Sequence, residues 1–325
     1  MRFPIKLLAC AGAGLGMIAA PAQAQTDYPS RPVRVLLPFA PGGAGDVLAR
    51  LFGQRLQETW RAQLIVEPRP GAGGIVATEI AAKAPADGYN LLIVTVGHAV
   101  NPSLYAKLPY DTTADLTGLG IVAMSPNVLV VHPSVPVKNV RELVALAKAK
   151  PDGLMYGSGG VATTAHVAAG MLSSVAGIKM VHVPYKGAPL AVQDLVAGRL
   201  DLMLDQVASS INWIQQGRLR ALAVTPAKRT PLMPDVPTLA ESGLPGYDFT
   251  AWWMFVAPAK TPPEIVARWN AELQKASADP AFRAQIAKVG ADSGPALSPA
   301  ETNDFIKREI QRWAKIVKDA NIRIE

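Results

Sequence analysis

Val33-Arg-Val-Leu-Leu-Pro-Phe39, followed by Ala40-Pro-Gly-Gly-Ala-Gly-Asp46 and Val47-Leu-Ala-Arg50, reads as a buried strand, a glycine loop and the start of a helix. The apolar run fits the interior of a parallel sheet. The glycines let backbone N–H groups turn toward a ligand, and the helix N-terminus brings its partial positive charge to the same place. No Lys or Arg lies within the loop, so Pro41–Asp46 predicts a small anion held by backbone. Amides near Gly42, Gly43 and Ala44 would face a carboxylate, and Asp46 would cap the helix or order waters. A tight strand-to-helix connection without a ligand competes with this reading. Two adjacent glycines and a third two residues on exceed what such a turn needs.

Outward from this unit, strand-like and helix-like stretches alternate along most of the chain. Strands are expected at Val33–Phe39, Leu64–Glu67, Leu91–Thr95, Val128–Val131, Met180–Val183, Leu202–Leu204, Ala221–Val224 and Met254–Ala257. Helical patterns lie near 46–58, 74–84, 139–149, 164–175, 188–198 and 206–217. The alternation predicts an α/β fold with parallel-rich sheets flanked by helices. Proline-rich stretches near 126–137 and 226–237 bracket a segment with its own strand-helix alternation. An inserted segment of that kind is the layout of a two-lobed, hinged receptor, the periplasmic binding protein fold with a cleft between lobes. The expected division is 25–127 with 248–325 in lobe 1 and 128–247 in lobe 2. In the C-terminal part, Thr261-Pro-Pro-Glu264 and Ser298-Pro-Ala-Glu301 read as capping boxes. Ile306, Ile310, Trp313 and Val317 then form one apolar helix face, read as packing on a domain.

The chain has 325 residues and half of them are hydrophobic, which supplies material for two domains. Its N-terminus reads as a secretory signal peptide: Arg2 and Lys6, an apolar run from Leu7 to Ala20, and a small-residue site at Ala22-Gln-Ala24. Cleavage near Ala24 removes Cys10, the only cysteine, so neither a disulfide nor thiol chemistry is expected in a periplasmic mature protein. It also removes two positive charges from a chain of formal net charge +7. Mild basicity of this kind steers anions and, without basic runs interleaved with aromatics, argues against nucleic acid.

Three further loops carry candidate residues. Tyr156-Gly-Ser-Gly-Gly-Val-Ala-Thr-Thr-Ala-His166 offers Ser158, Gly160, Thr163 and Thr164 as ligand contacts, with Thr163 also a possible N-cap. His166 is read more readily as packed than as a ligand contact, although it stays a candidate. Residues 157–162 match G-x-G-x-x-A formally, but the acid that a dinucleotide site needs about twenty residues on is missing; the first is Asp194. Gly71-Ala-Gly-Gly74 is at least as readily a structural turn. The strand ending at Thr95 leads to Val96-Gly-His-Ala-Val-Asn101, and such strand ends line clefts in open sheets, making Thr95 and His98 candidates. Asp205, ending another strand, joins them. Enzyme readings lack support. The histidines are scattered, and no G-x-S-x-G elbow or phosphate loop is present, so no catalytic residue, metal or cofactor is expected.

With these residues in view, the chain resembles the periplasmic solute receptors of tripartite tricarboxylate transporters, the Bug-type family, over essentially the whole mature length. The resemblance rests on Arg31-Pro-Val-Arg34 leading to Pro38-Phe-Ala-Pro-Gly-Gly43 with Asp46, on Pro85-Ala-Asp-Gly-Tyr-Asn-Leu-Leu92, and on Asn101-Pro-Ser-Leu-Tyr105 with Leu108-Pro-Tyr-Asp111. Val183-Pro-Tyr-Lys-Gly-Ala-Pro189 and Asp235-Val-Pro-Thr238 with Glu241, Gly243 and Leu244 complete it. It implies two α/β lobes closing on a small organic carboxylate, clamped by the loops Pro41–Ala44 and Gly157–Thr163, partly through ordered waters. It also implies delivery to a membrane permease with a large and a small subunit, by a monomer without catalysis. Two departures stand out: Ala77 replaces a frequent glycine, and Thr163-Thr-Ala-His166-Val replaces a frequent Ser-x-x-His-Leu, which affects the polar contacts. A receptor that senses a carboxylate for a signalling partner shares every one of these features. An exported nucleotide-dependent enzyme is the distant alternative.

Overall fold

The computed structural model describes residues 28–319; the expected signal peptide, Cys10 and the expected cleavage site near Ala24 lie outside the described residues. In chain order the elements are β1 (Val33–Leu37), α1 (Ala44–Thr59), β2 (Leu64–Pro68), α2 (Ile75–Ala82), β3 (Asn90–Val94), α3 (Gly97–Leu104), β4 (Leu116–Val131), α4 (Val140–Ala149), β5 (Met155–Ser158) and α5 (Thr164–Ala176). They continue as β6 (Val181–Pro184), α6 (Ala188–Val196), β7 (Leu202–Gln206), α7 (Val207–Gln215), β8 (Arg220–Val224), β9 (Thr250–Pro258), α8 (Pro263–Ala278), α9 (Pro280–Lys288), β10 (Asp292–Ser293) and α10 (Pro299–Asp319).

β4 ties the molecule together. Through Pro126 it pairs with β9, in a sheet ordered β2-β1-β3-β9-β4. From Asn127 it pairs with β7 and β8, in a second sheet that continues through β5 to β6. The outer strands of both sheets are parallel, as β-helix-β crossovers require. The centre is antiparallel, because the chain crosses between the sheets along β4 and returns along β9. The fold is therefore a mixed, two-lobed α/β structure, with parallel strands confined to the flanks.

Two elements depart from the sequence expectation. β4 is sixteen residues long, of which only Val128–Val131 reads as strand. Gly118, Gly120 and Pro126 interrupt its apolar pattern, and its register against β9 shifts twice, between Gly118 and Gly120 and between Ile121 and Ala123. Residues 97–104 form a helix rather than a loop. Gly97 and Pro102 mask the signal, and burial of Ala99, Val100 and Asn101 beneath α10 supplies the stability that propensity lacks.

The apolar stripe of α10 packs as expected. Ile306, Trp313 and Val317 are buried, Ile310 lies against the same core, and the helix rests on α3 and β4. Its capping box forms: Ser298 N donates to the Glu301 carboxylate at 2.8 Å, and Glu301 N donates to Ser298 Oγ at 3.3 Å. The box expected at Thr261–Glu264 does not form. α8 takes Pro262 as its N-cap, Thr261 N is held by Pro258 O in the preceding turn, and Thr261 Oγ1 finds no partner.

Candidate functional site

A cleft of about 330 Å³ opens between the two sheets. Its walls come from the loop after β1 together with the first turn of α1, from Thr95 after β3, from Ser125 and Trp253 on β4 and β9, and from Lys288 at the end of α9 with Val289 and Ala291 after it. The other lobe contributes Gly159 and Thr163–Ala165, Gly187–Pro189, and Asp205–Ser209.

The β1–α1 loop is built around Asp46. Gly42, at φ +86°, donates its N–H to the Asp46 carboxylate at 3.0 Å, and Arg50 Nε donates to the other oxygen at 2.8 Å. Asp46 is thus committed to holding the loop and does not cap the helix; the N-cap is Gly43, without a side-chain cap. The Gly42 amide is consumed in this way. The donors left for a ligand are the amides of Ala44, Gly45 and Asp46, which lack intrahelical acceptors in the first turn of α1. Gly45 is required there, since a Cβ would lie 2.4 Å from the buried Trp253 ring.

Across the cleft, α5 presents a second helix N-terminus. Thr163 is its N-cap by position, yet its hydroxyl donates to Gly160 O at 2.7 Å instead of capping. The first amides of α5 therefore stay free of the chain. Ser158 lies behind this loop, fully buried, bonded to His182 Nε2 at 2.6 Å and to both backbone groups of Gly160. His166 Nδ1 accepts from Ala162 N at 3.2 Å, and the His166 ring stacks on His182 at 4.2 Å. Burial pulls His166 down to about 4; burial and then the neighbouring His166 pull His182 down to about 3, so both rings are neutral near pH 7.

Gly42, Gly43, Ala44, Asp46, Thr95, Thr163, Thr164 and Asp205 therefore meet on the cleft wall, whereas Pro41, His98, Ser158, Gly160 and His166 do not line it. His98 is buried on α3, its pKa lowered to about 4 by burial, with neither ring nitrogen partnered. Asp205 is buried, accepts bonds from the Ser209 and Ser210 hydroxyls, and has its pKa raised by burial. Gly71–Gly74 lies off the wall and acts as a structural turn, with Asn101 Nδ2 donating to Gly73 O at 3.2 Å. The dinucleotide-like match at 157–162 has no acid at the end of β6, and Asp194 is engaged by Tyr185 and Arg199.

Sequence reasoning missed Phe39, Ser125, Gln206, Trp253 and Lys288. Ser125 and Trp253 sit in the irregular β4–β9 pairing, and Lys288 ends a helix with no motif to mark it. The charged side chains on the wall are Asp46, Asp205 and Lys288, and Lys288 makes no ion pair among the described residues. Cationic helix ends and an unpaired ammonium thus face one cleft, with both acids already satisfied by the chain.

The chain is similar to known proteins along nearly its whole length. The family model described as "Tripartite tricarboxylate transporter family receptor" matches residues 48–322. Protein BugT of Bordetella pertussis is 34% identical over 311 residues, covering 95% of this chain and 94% of that protein. The structure of R. palustris Rpa4515 with adipate is 36% identical with a TM-score of 0.87, covering 91% of this chain and 99% of that one. The periplasmic binding protein BugD is 32% identical with a TM-score of 0.85, covering 92% of this chain and 100% of that one. The family is one of receptors rather than enzymes, and BugD is a periplasmic binding protein.

Proposed function

Since the chain belongs to the tripartite tricarboxylate transporter receptor family, we propose that it is a periplasmic receptor that closes lobes 25–127 with 248–325 and 128–247 on a small organic carboxylate. It acts as a monomer and passes the solute to a membrane permease with a large and a small subunit. The observation that carries this reading is the opposition of two helix N-termini, α1 and α5, across one cleft. Each offers uncommitted amides, and neither lobe alone surrounds an anion. The adipate held by the similar R. palustris protein is a ligand of the same chemistry. The apolar faces of Phe39, Trp253 and Val289 suit an aliphatic spacer, and Lys288 suits a second carboxylate.

Calorimetry and thermal-shift assays on the mature protein against mono-, di- and tricarboxylates are expected to give a stabilising acid. Stabilisation by neutral sugars with no acid bound would overturn the reading. Lys288→Met is expected to weaken a dicarboxylate about fivefold at low salt, roughly the 1 kcal/mol of an exposed pair, and less at high salt. An equal loss for a monocarboxylate would remove Lys288 from this role.

A further inference from the structure

The floor of the cleft carries polar groups that the clamp does not use. Ser125 stands opposite Ala251 on β9, and Trp253, two residues on, shares that face. Val94 pairs with Met254, which carries Thr95 to the position beside Trp253. Thr95, Trp253 and Ser125 thus form a row across three adjacent strands, and all three line the cleft. Thr95 is 3% exposed and Ser125 1%. Thr95 Oγ1, Ser125 Oγ and Trp253 Nε1 have no hydrogen-bond partner. Buried polar groups are seldom left unpaired, and two hydroxyls and an indole N–H in one row facing a cavity point to something bound there.

The chemistry of the row limits what that is. A hydroxyl both donates and accepts and carries no charge to neutralise an anion. Asp205, on the strand beside β4, adds a carboxylate nearby. A neutral oxygen fits this floor, whereas a further carboxylate does not.

We propose that Thr95 and Ser125 select a carboxylate that bears an additional neutral oxygen, a hydroxy- or oxo-acid, over the same acid without it. This rests on the carboxylate reading of the cleft. The helix ends hold the carboxylate, and the floor reads the substituent. A site built to bond an oxygen rejects the analogue lacking it, because its own groups are then left unpaired.

The test is calorimetry with matched pairs: succinate against malate, and glutarate against 2-hydroxyglutarate and 2-oxoglutarate. In the native protein the oxygenated member of a pair is expected to bind about tenfold tighter or more. In the double variant Thr95→Val, Ser125→Ala that preference is expected to fall within about twofold, as the oxygenated acid loses its partners and the unsubstituted acid no longer leaves two hydroxyls unpaired. Equal binding within every pair by the native protein overturns the proposal without any variant, and so does a preference that survives the double substitution. Absence of binding by every acid overturns the carboxylate reading itself, a distinguishable result.

Discussion

Gly97→Val is expected to hold the two lobes apart and weaken ligand binding between tenfold and a hundredfold, while leaving the melting temperature of the unliganded protein nearly unchanged. Gly97 begins α3 with ordinary helical geometry, so valine adds no left-handed strain. A Cβ there would lie 2.9 Å from Ala162 O, on the loop before α5 in the opposite lobe, and 3.6 Å from Gly73 O. The close neighbour is thus backbone of the other lobe, which cannot rotate away as a side chain does. Overpacking of this kind costs about 1–3 kcal/mol, here only when the lobes meet. A ligand that requires closure bears that cost in its affinity. Gly290 makes a closer approach, with its Cβ position 2.5 Å from Ala208 Cα, but its φ of +70° would strain any substituted residue and confound the result. Calorimetry measures the affinity, and small-angle scattering with saturating ligand reports the opening. Native affinity together with a native closed envelope would show that the contact does not limit closure.

How much of this was readable beforehand follows from where local signals survive tertiary packing. The loop Pro41–Asp46 and the helix after it stand out because glycine runs after an apolar strand have few other uses. The role of Asp46 within the loop did not stand out: an acid at the first turn of a helix reads as a cap, and only the geometry shows its carboxylate reaching back to Gly42 N. The stripe Ile306–Val317 was legible because a 3.6-residue period is written directly in the residues. The first half of β4 was not, because its glycines and Pro126 look like turn chemistry until β9 pairs with them. His98 shows the same limit. A histidine after a strand end reads as a site residue, but α3 carries it into the core, where neither nitrogen finds a partner. Trp253 and Ser125 reach the cleft only through a register that no local pattern encodes.

Acidification from pH 6.5 toward pH 4 is expected to destabilise the fold steeply. His98 and His166 titrate near 4 in the folded protein and His182 near 3, with burial the main cause in each case. An unfolded imidazole titrates near 6.5. Between these values the unfolded chain binds protons that the fold refuses, so stability is full above about pH 6.5 and is lost as pH falls. Each histidine removes roughly 1.4 kcal/mol per pH unit within this window, His182 less because it is half-buried. Two such groups remove a large part of a typical 5–15 kcal/mol stability by pH 4.5. Asp205 works in the opposite direction: burial raises its pKa, so the fold takes up that proton first and gains stability as pH falls. Glu67, Asp111 and Glu301, all held below the ordinary carboxylate range by hydrogen bonds, contribute their losses at lower pH than the histidines. Urea melts at pH 7.5, 6.0 and 5.0 measure the slope, and His98→Leu is expected to flatten it by about one histidine's share. A stability unchanged from pH 7.5 to 5.0 would mean that these rings are hydrated and free to charge. Ligand binding by the folded protein is expected to hold through this window and to fail only near pH 4, where His166 itself takes a proton, because the pair His166 and His182 supports the α5 loop. His166 Nδ1 accepts from Ala162 N, and a proton on that nitrogen sets donor against donor at the base of the clamp.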